Sequence, residues 1–226
     1  MNVSTDEKKG TKMDIEKAAK LVCESGKRLL KENLVAGTWG NISLRIDESH
    51  IVITPSGINY ENLSPKDMVL INMDDLSYEG NLKPSGETPI HASIYKDRKE
   101  VNAIVHNHSL YASIIAASQK RVLPYIGDMA MILGPDVRVT EHAWTGSKEL
   151  CEVAVKGLED RFAVILQSHG AICVGRDMEE AFIACHILEK ACQIQVNVEM
   201  IGGGKALSPK EAQIYRDKYL NVYQKK

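Results

Sequence analysis

Short turns between β-like segments constrain the fold of this chain more than any other feature of its sequence. The apolar segments 42–46 and 50–54 are separated only by Asp47-Glu48-Ser49. Neighbouring strands joined by so short a turn must be antiparallel, because a parallel pair needs a long crossover connection. The segments 163–167 and 171–174 are joined by a turn of the same length. The turns therefore predict a sheet that is mixed or largely antiparallel.

Helical patterns fill most of the chain between and after these strands. Residues 14–33 are amphipathic behind a capping Asp14, and residues 178–200 read as one long helix. Ser208-Pro209-Lys210-Glu211 forms a capping box that opens a last helix. The segment 137–140 is expected to add a further strand. We therefore predict one domain in which helices cover a central sheet.

Composition and charge exclude several classes of protein. The formal net charge of the 226 residues is −2 and no basic face stands out, so nucleic acid is not an expected partner. No apolar run reaches the roughly 18–20 residues of a membrane span, so no membrane partner is expected. Residues 1–12 are polar and are expected to form a flexible extension, with residues 13–226 as the domain. Five scattered cysteines indicate free thiols and a cytoplasmic location.

Three histidines form a candidate metal site. His106 and His108 follow an apolar segment that reads as a strand, and side chains two residues apart point to the same face of a strand. His169 lies in the turn between two further strands and is followed by Gly170, which lets the backbone approach closely. Taken alone, the spacing of His106 and His108 can arise by chance, and His169 has an ordinary explanation as a hydrogen-bonded loop residue. Three imidazoles with an open coordination position are typical of a catalytic metal site.

A carboxylate and several small-residue turns complete the candidate site. Glu87 stands at a predicted helix start, where a carboxylate also interacts favourably with the helix dipole. Zinc suits three imidazoles and one carboxylate, and manganese or cobalt can use the same ligands. Backbone N–H groups and hydroxyls in small-residue turns can hold a phosphate with little positive charge. Each turn is also an ordinary loop signal. The candidate phosphate-binding residues are Gly40, Asn41, Ser56, Gly57, Ser85 and Gly86.

Five short motifs carry a resemblance to a known family. In chain order they are Gly37-Thr38-Trp39-Gly40-Asn41-Ile42-Ser43, Ile53-Thr54-Pro55-Ser56-Gly57, Lys83-Pro84-Ser85-Gly86-Glu87, Val105-His106-Asn107-His108 and Gln167-Ser168-His169-Gly170. Together they resemble the class II aldolase/adducin family over roughly residues 14–200, and within it the members that cleave L-fuculose 1-phosphate. The resemblance implies an α/β, single-domain three-layer sandwich with a central, mainly antiparallel mixed sheet. It also implies a homotetramer with active sites between subunits.

The resemblance also implies roles for single residues. His106, His108 and His169 match the metal ligands of the family, and Glu87 matches a carboxylate that alternates between metal ligand and general base. The six turn residues match the loops that bind the substrate phosphate. Asp128 falls in the column of the second acid–base group, which is a tyrosine from the neighbouring subunit in the aldolases. Tyr215 or Tyr219 corresponds to C-terminal tyrosines that close over the substrate.

Asp128 leaves the reaction open among three alternatives. The first is metal-dependent cleavage of a 1-phosphoketose, such as L-fuculose 1-phosphate, to dihydroxyacetone phosphate and a small aldehyde, such as L-lactaldehyde. The second is 4-epimerisation of a pentulose phosphate, or dehydration of a methylthioribulose-phosphate type of substrate, because related enzymes have an acid in this column. The third is a non-catalytic module like the adducin head. The first alternative agrees best with Glu87, since the epimerase has aspartate at that position.

Overall fold

A seven-stranded antiparallel sheet forms the centre of the computed structural model, which describes residues 13–80 and 82–223. The strands occur along the sheet in the order β4-β3-β2-β1-β5-β7-β6. Their bounds are β1 Asn41–Arg45, β2 His50–Ile53, β3 Val69–Asn72, β4 Tyr78–Glu79, β5 Ala103–Asn107, β6 Ala163–Leu166 and β7 Gly170–Gly175. The helices are α1 Ile15–Lys31, α2 Thr88–Asp97, α3 Leu110–Ser118, α4 Gly127–Leu133, α5 Lys148–Leu158, α6 Met178–Met200 and α7 Pro209–Lys218.

Every pairing between these strands is antiparallel. The short turns predicted from the sequence join β1 to β2 and β6 to β7. The prediction of a largely antiparallel sheet is therefore confirmed. Within the described residues, the single parallel contact is an isolated bridge between Val139 and Ile165. The segment 137–140 forms two isolated bridges and no continuous pairing. Val137 pairs with Val122 in an antiparallel bridge, and Val139 pairs with Ile165 of the edge strand β6. It is therefore not the strand expected from its sequence.

Helices cover both faces of the sheet, which gives the predicted three layers. On one face, the Ser43 hydroxyl of β1 contacts His91 and Tyr95 of α2, and α5 packs against α2. On the other face, Asn107 of β5 reaches Cys185 of α6. α1 and α3 pack on this second side. Strands β5, β6 and β7 are buried on both faces, so their continuous apolar sequences form the core of the domain.

Helix ends follow the local capping signals of the sequence. The Asp14 side chain accepts a hydrogen bond from the Glu16 N–H, and Ser147 accepts one from the Leu150 N–H. Ser208 forms the predicted capping box at the start of α7. α4 was not anticipated, because its seven residues are too few to give a clear helical period.

Three further expectations concern the N-terminal extension, the cysteines and membrane-spanning helices. The predicted extension 1–12 lies outside the described residues. All five cysteines are buried free thiols, as expected. Across the described ranges, none of the helices has the length and apolar character required to cross a membrane.

Candidate metal centre and substrate pocket

Three histidines and one carboxylate meet at the end of β5. His106 Nε2 lies 3.0 Å from Glu87 Oε2, and His169 Nε2 lies 3.2 Å from Glu87 Oε1. His108 Nε2 lies 3.0 Å from His106 Nε2. One ligand atom from each histidine falls within 4.8 Å of the other two. Residues 87, 106, 108 and 169, predicted as one site, are therefore neighbours in space.

The sheet register explains why these groups converge. His106 is the cross-strand partner of Asn41, so the two side chains share the face that α2 covers. Glu87 is the N-cap residue of α2 and therefore stands directly over this pair. His169 is brought in by the β6–β7 turn. Gly170 is required there, because a Cβ at this position would lie 2.6 Å from the Asn107 carbonyl oxygen and 2.8 Å from the His108 ring.

The hydrogen bonds of His106 orient it for binding a cation. Its Nδ1 lies 3.0 Å from the Ala171 carbonyl oxygen, which can only accept a hydrogen bond, so Nδ1 carries the proton. The Nε2 lone pair then faces Glu87 and His108. A backbone carbonyl that fixes the tautomer of a histidine is the usual second partner of a metal-binding imidazole.

The electrostatics of the site also fit a cation. Burial raises the pKa of Glu87, but His106, His169 and the Asn41 hydrogen bond outweigh it, and the pKa lies below its ordinary value. Burial and the neighbouring imidazoles lower the pKa of His108 to about 4, and burial and His106 lower the pKa of His169. His108 and His169 are therefore held in the neutral form that binds metals. Within the described ranges, no lysine or arginine pairs with Glu87, and its Oε1 accepts no hydrogen bond.

A second layer of side chains supports Glu87. The Asn41 side-chain amide donates to Glu87 Oε2 at 2.8 Å, and the Ser85 hydroxyl accepts from the Glu87 N–H at 3.2 Å. His91, which sequence reasoning did not single out, lies one helical turn beyond Glu87. It is fully buried, with Nδ1 2.6 Å from the Ser43 hydroxyl. Desolvation lowers the pKa of His91 to about 3.

A cavity of about 460 Å³ opens over this cluster. The predicted phosphate-binding residues all line it together with Glu87, His108 and His169, whereas His106 lies beneath its floor and is fully buried. Two of the turns are joined by hydrogen bonds, from the Ser56 N–H to the Lys83 carbonyl and from the Ser85 N–H to the Thr54 carbonyl. The cavity is also lined by residues that sequence reasoning did not single out, namely Thr38, Trp39, Pro55 and Thr145. The first three belong to the recognised motifs, whereas no local signal identifies Thr145.

Asp128 and the C-terminal tyrosines lie outside this cavity within one chain. Asp128 is on α4, where Oδ2 pairs with the Lys190 ammonium at 2.6 Å and Oδ1 is buried without a hydrogen bond. The Tyr219 hydroxyl lies 2.7 Å from a carboxylate oxygen of Glu180. Tyr215 packs against Gly127. The roles expected for these residues depend on a neighbouring subunit and stay predictions.

Comparison with known proteins agrees with this geometry. Residues 20–196 match the family model described as Class II Aldolase and Adducin N-terminal domain. The chain is 35% identical over 208 residues to a 5-deoxy-D-ribulose 1-phosphate aldolase from Bacillus thuringiensis serovar kurstaki, covering 92% of this chain and 97% of that protein. It is 33% identical over 166 residues to an L-fuculose phosphate aldolase from Methanococcus maripaludis, covering 74% of this chain and 89% of that protein.

A solved structure is similar as well. An L-fuculose 1-phosphate aldolase superposes with a TM-score of 0.88 at 30% identity, covering 93% of this chain and 100% of that one. The relatives named above are all aldolases, which argues against a non-catalytic module. The chain belongs to the class II aldolase and adducin N-terminal domain family, as one of its lyase enzymes.

Proposed function

We propose that this enzyme catalyses the metal-dependent, reversible aldol cleavage of a 1-phosphoketose to dihydroxyacetone phosphate and a small aldehyde. The observation that carries this proposal is the joint presence of Glu87 and three histidines at the floor of a cavity lined by the phosphate-loop residues. The match to 5-deoxy-D-ribulose 1-phosphate aldolase over nearly its whole length supports a short deoxy-ketose as the substrate, with L-fuculose 1-phosphate as the second choice.

His106, His108 and His169 would hold the cation, with Glu87 as a fourth ligand before substrate enters. Zinc is the first choice because it favours imidazole and carboxylate, and manganese or cobalt are alternatives. When bound, such a cation supplies Lewis-acid stabilisation of negative charge on the carbonyl and hydroxyl oxygens of the ketose. The donor atoms fit this role, since imidazole nitrogens surround a carboxylate that pairs with no lysine or arginine of the described residues.

Glu87 would transfer the proton to and from C3 of the substrate. Breaking the bond between C3 and C4 leaves its electron pair on C3 as an enediolate, and Glu87 then delivers a proton to C3. In the direction of synthesis it removes the same proton. Its depressed pKa keeps it ionised when free, and the Asn41 amide holds it in place. The phosphate would bind to Asn41, Ser56, Ser85 and the glycine N–H groups. These contacts are remote from the bond that breaks, and they would hold the ketose in position for the reaction.

A second acid–base group must accept the proton of the C4 hydroxyl. Asp128 is the candidate from the sequence, supplied by a neighbouring subunit of a homotetramer. In its own chain Asp128 pairs with Lys190, so the pair would have to rearrange or act together at the subunit interface. An acid in this position also motivates the epimerase and dehydratase alternatives. An epimer or a dehydrated diketone, with no cleavage of a carbon–carbon bond, would identify them.

The test is release of dihydroxyacetone phosphate by purified enzyme supplied first with zinc and then with manganese. 5-Deoxyribulose 1-phosphate and L-fuculose 1-phosphate lead the substrate panel, and Glu87→Ala and His106→Ala serve as controls. We expect triose phosphate to form with the wild type and not with either variant. A metal-loaded enzyme that releases no triose phosphate from any 1-phosphoketose would refute the proposal.

A further inference from the structure

Asn107 stands between two candidate metal ligands in the sequence, but its side chain faces away from them. It is fully buried and does not line the cavity. Successive side chains of a strand point to opposite faces, so His106 reaches Glu87 whereas Asn107 points toward α6. There its Nδ2 lies 3.5 Å from the Cys185 thiol and 3.8 Å from the Cys173 thiol. The Asn107 amide therefore has no direct contact with the cavity, and its presence in the core needs another explanation.

Stability alone does not explain an amide at this position. Sulfur is a weak hydrogen-bond acceptor, and burial raises the pKa of the Cys185 thiol, so no thiolate is present to strengthen the contact. A buried amide held by weak acceptors contributes little to stability, and an apolar side chain of similar volume would fill the space without its cost of desolvation. The remaining contact of the amide is made by its oxygen.

This oxygen fixes the chain on the far side of His108. Asn107 Oδ1 accepts a hydrogen bond from the Ser109 N–H at 3.3 Å. A side chain that bonds to the backbone two residues further on closes an Asx turn, and the middle residue of this turn is His108. The N–H of His108 itself donates to the Leu34 carbonyl at 2.9 Å. The N–H groups on both sides of the His108 Cα are thus held, one by a distant carbonyl and the other by the Asn107 side chain.

The position of His108 depends on this turn because its ring has little other support. The His106 ring is oriented by the Ala171 carbonyl at 3.0 Å. Within the described residues, no backbone carbonyl accepts a hydrogen bond from the His108 ring, and its Nε2 instead lies 3.0 Å from His106 Nε2. Removing the outer partner that orients a metal-binding histidine usually weakens metal binding. For His108, the backbone turn takes the place of that partner.

We propose that Asn107 is a positioning residue, whose side chain sets the distance between the imidazoles of His106 and His108 and thereby the affinity of the site for its cation. This inference rests on the cation site of the proposed function. Asn107 acts through the turn at His108, since its own side chain does not reach the cavity. Loss of its acceptor oxygen is expected to weaken cation binding about 10-fold, the lower end of what removal of an outer partner costs.

The test measures binding of Co²⁺, which suits imidazole ligands, to chelator-treated enzyme. The visible absorption of the bound ion gives the Kd and also reports the coordination geometry. Asn107→Ala and Asn107→Leu both lack the acceptor oxygen, and each should raise the Kd about 10-fold and alter the spectrum. Asn107→Ser offers a hydroxyl oxygen that accepts the Ser109 N–H more weakly, so its Kd should stay within about threefold of the wild type.

Gln195→Leu is the matched control, because Gln195 is also a buried side-chain amide that holds the backbone and does not line the cavity. Its oxygen accepts a hydrogen bond from the Leu123 N–H at 2.8 Å, and its Nε2 donates to the Arg121 carbonyl at 2.9 Å. This variant should lower the midpoint of urea denaturation and leave the Kd and spectrum of Co²⁺ unchanged.

The outcomes separate this inference from the proposed function. If the wild type binds no Co²⁺, the cation site and the inference both fail. If the wild type binds Co²⁺ and releases triose phosphate, but Asn107→Ala and Asn107→Leu keep its Kd and spectrum, the proposed function stands and the inference is refuted. Two further results would also overturn the inference. Gln195→Leu could weaken binding as much as Asn107→Ala, which would assign the effect to a general loss of stability. Asn107→Ser could bind as weakly as Asn107→Ala, which would exclude the acceptor oxygen as the cause.

Discussion

Two buried glutamates of this chain have opposite surroundings. Glu180, at the start of α6, is 2% exposed and Glu87 is 8% exposed. Glu180 accepts hydrogen bonds from the Arg176 guanidinium at 2.5 and 2.9 Å and lies 2.7 Å from the Tyr219 hydroxyl. Glu87 faces two histidines and the Asn41 amide, and one of its oxygens accepts no hydrogen bond. One carboxylate is neutralised by the protein itself, and the other lacks a permanent cation.

This difference separates a structural carboxylate from a functional one. A buried charge is expensive unless it is paired, so Glu180 with its arginine joins the end of β7, α6 and the C-terminal segment. The negative charge of Glu87 is only partly balanced by its neighbours at the floor of the cavity, and a bound cation would balance the remainder. Poorly compensated buried acids are typical of active sites. The four predictions below test this contrast.

The largest expected effect is on activity. Glu87→Gln should lower kcat about 1000-fold, because the amide cannot transfer the proton at carbon. The free energy of unfolding of the metal-free protein should fall by no more than about 1 kcal/mol, since the side-chain amide has the same shape and its oxygen can still accept the Asn41 hydrogen bond. Steady-state kinetics and urea denaturation measure the two quantities. A large loss of stability with kcat retained would contradict a catalytic role for Glu87.

Removal of the other carboxylate should affect stability. Glu180→Ala leaves the Arg176 guanidinium without its partner, and we expect it to lower the free energy of unfolding by about 3–5 kcal/mol. The kcat of the folded fraction should stay within about twofold of the wild type. Urea denaturation, with activity normalised to folded protein, measures both. A Glu180 variant with unchanged stability would show that the Arg176 contact is not structural.

His91, which lies behind Glu87, should make the free energy of unfolding sensitive to acid. The pKa of His91 is about 3 in the folded chain and 6.5 when unperturbed. Because the folded-state pKa is depressed, the unfolded chain binds the proton first. The stability contribution is complete above pH 6.5 and is lost as the pH falls toward 3, with on the order of 3 kcal/mol lost between pH 6.5 and 4.

His91→Asn should therefore flatten the decline in stability of metal-free protein between pH 6.5 and 4, while keeping a partner for the Ser43 hydroxyl. Chemical denaturation across this pH range is the measurement. If the variant and the wild type lose stability in parallel, His91 does not control the acid response.

The smallest effect concerns the added cation. A divalent cation at about 100 times its Kd should stabilise the folded enzyme by about 2.7 kcal/mol. Glu180→Ala should keep this increment, since its site is remote from the histidines, whereas His169→Ala should lose most of it. Thermal unfolding with and without chelator measures the increment. Equal increments in the two variants would place the cation elsewhere.

Local features of the fold were predictable because local interactions fix them. Asp14, Ser147 and Ser208 cap helices through bonds to residues two or three positions away. The β1–β2 hairpin follows from its short turn. The segment 137–140 was misassigned, because its apolar pattern suits a strand while its partners belong to two different parts of the chain.

The candidate site was predictable in its members but not in its arrangement. The motifs gave His106, His108, His169, Glu87 and the phosphate loops. The buried His91 and the contribution of Thr145 had no sequence signal, since each reaches the site through packing between distant segments. Asp128 is the counterexample, because its position in the sequence predicted a role in the site, whereas within the chain its side chain pairs with Lys190 outside the cavity.

The sequence by itself determined the donor set, the order of the strands and turns, and the helix caps, because each depends on residue chemistry at short spacing. Only the tertiary structure decided that Asn41 pairs with Glu87, that the Ala171 carbonyl fixes the His106 tautomer, and that Trp39 is exposed beside His108. Those contacts join residues up to 69 positions apart. They depend on sheet register and helix packing, which the whole chain establishes together.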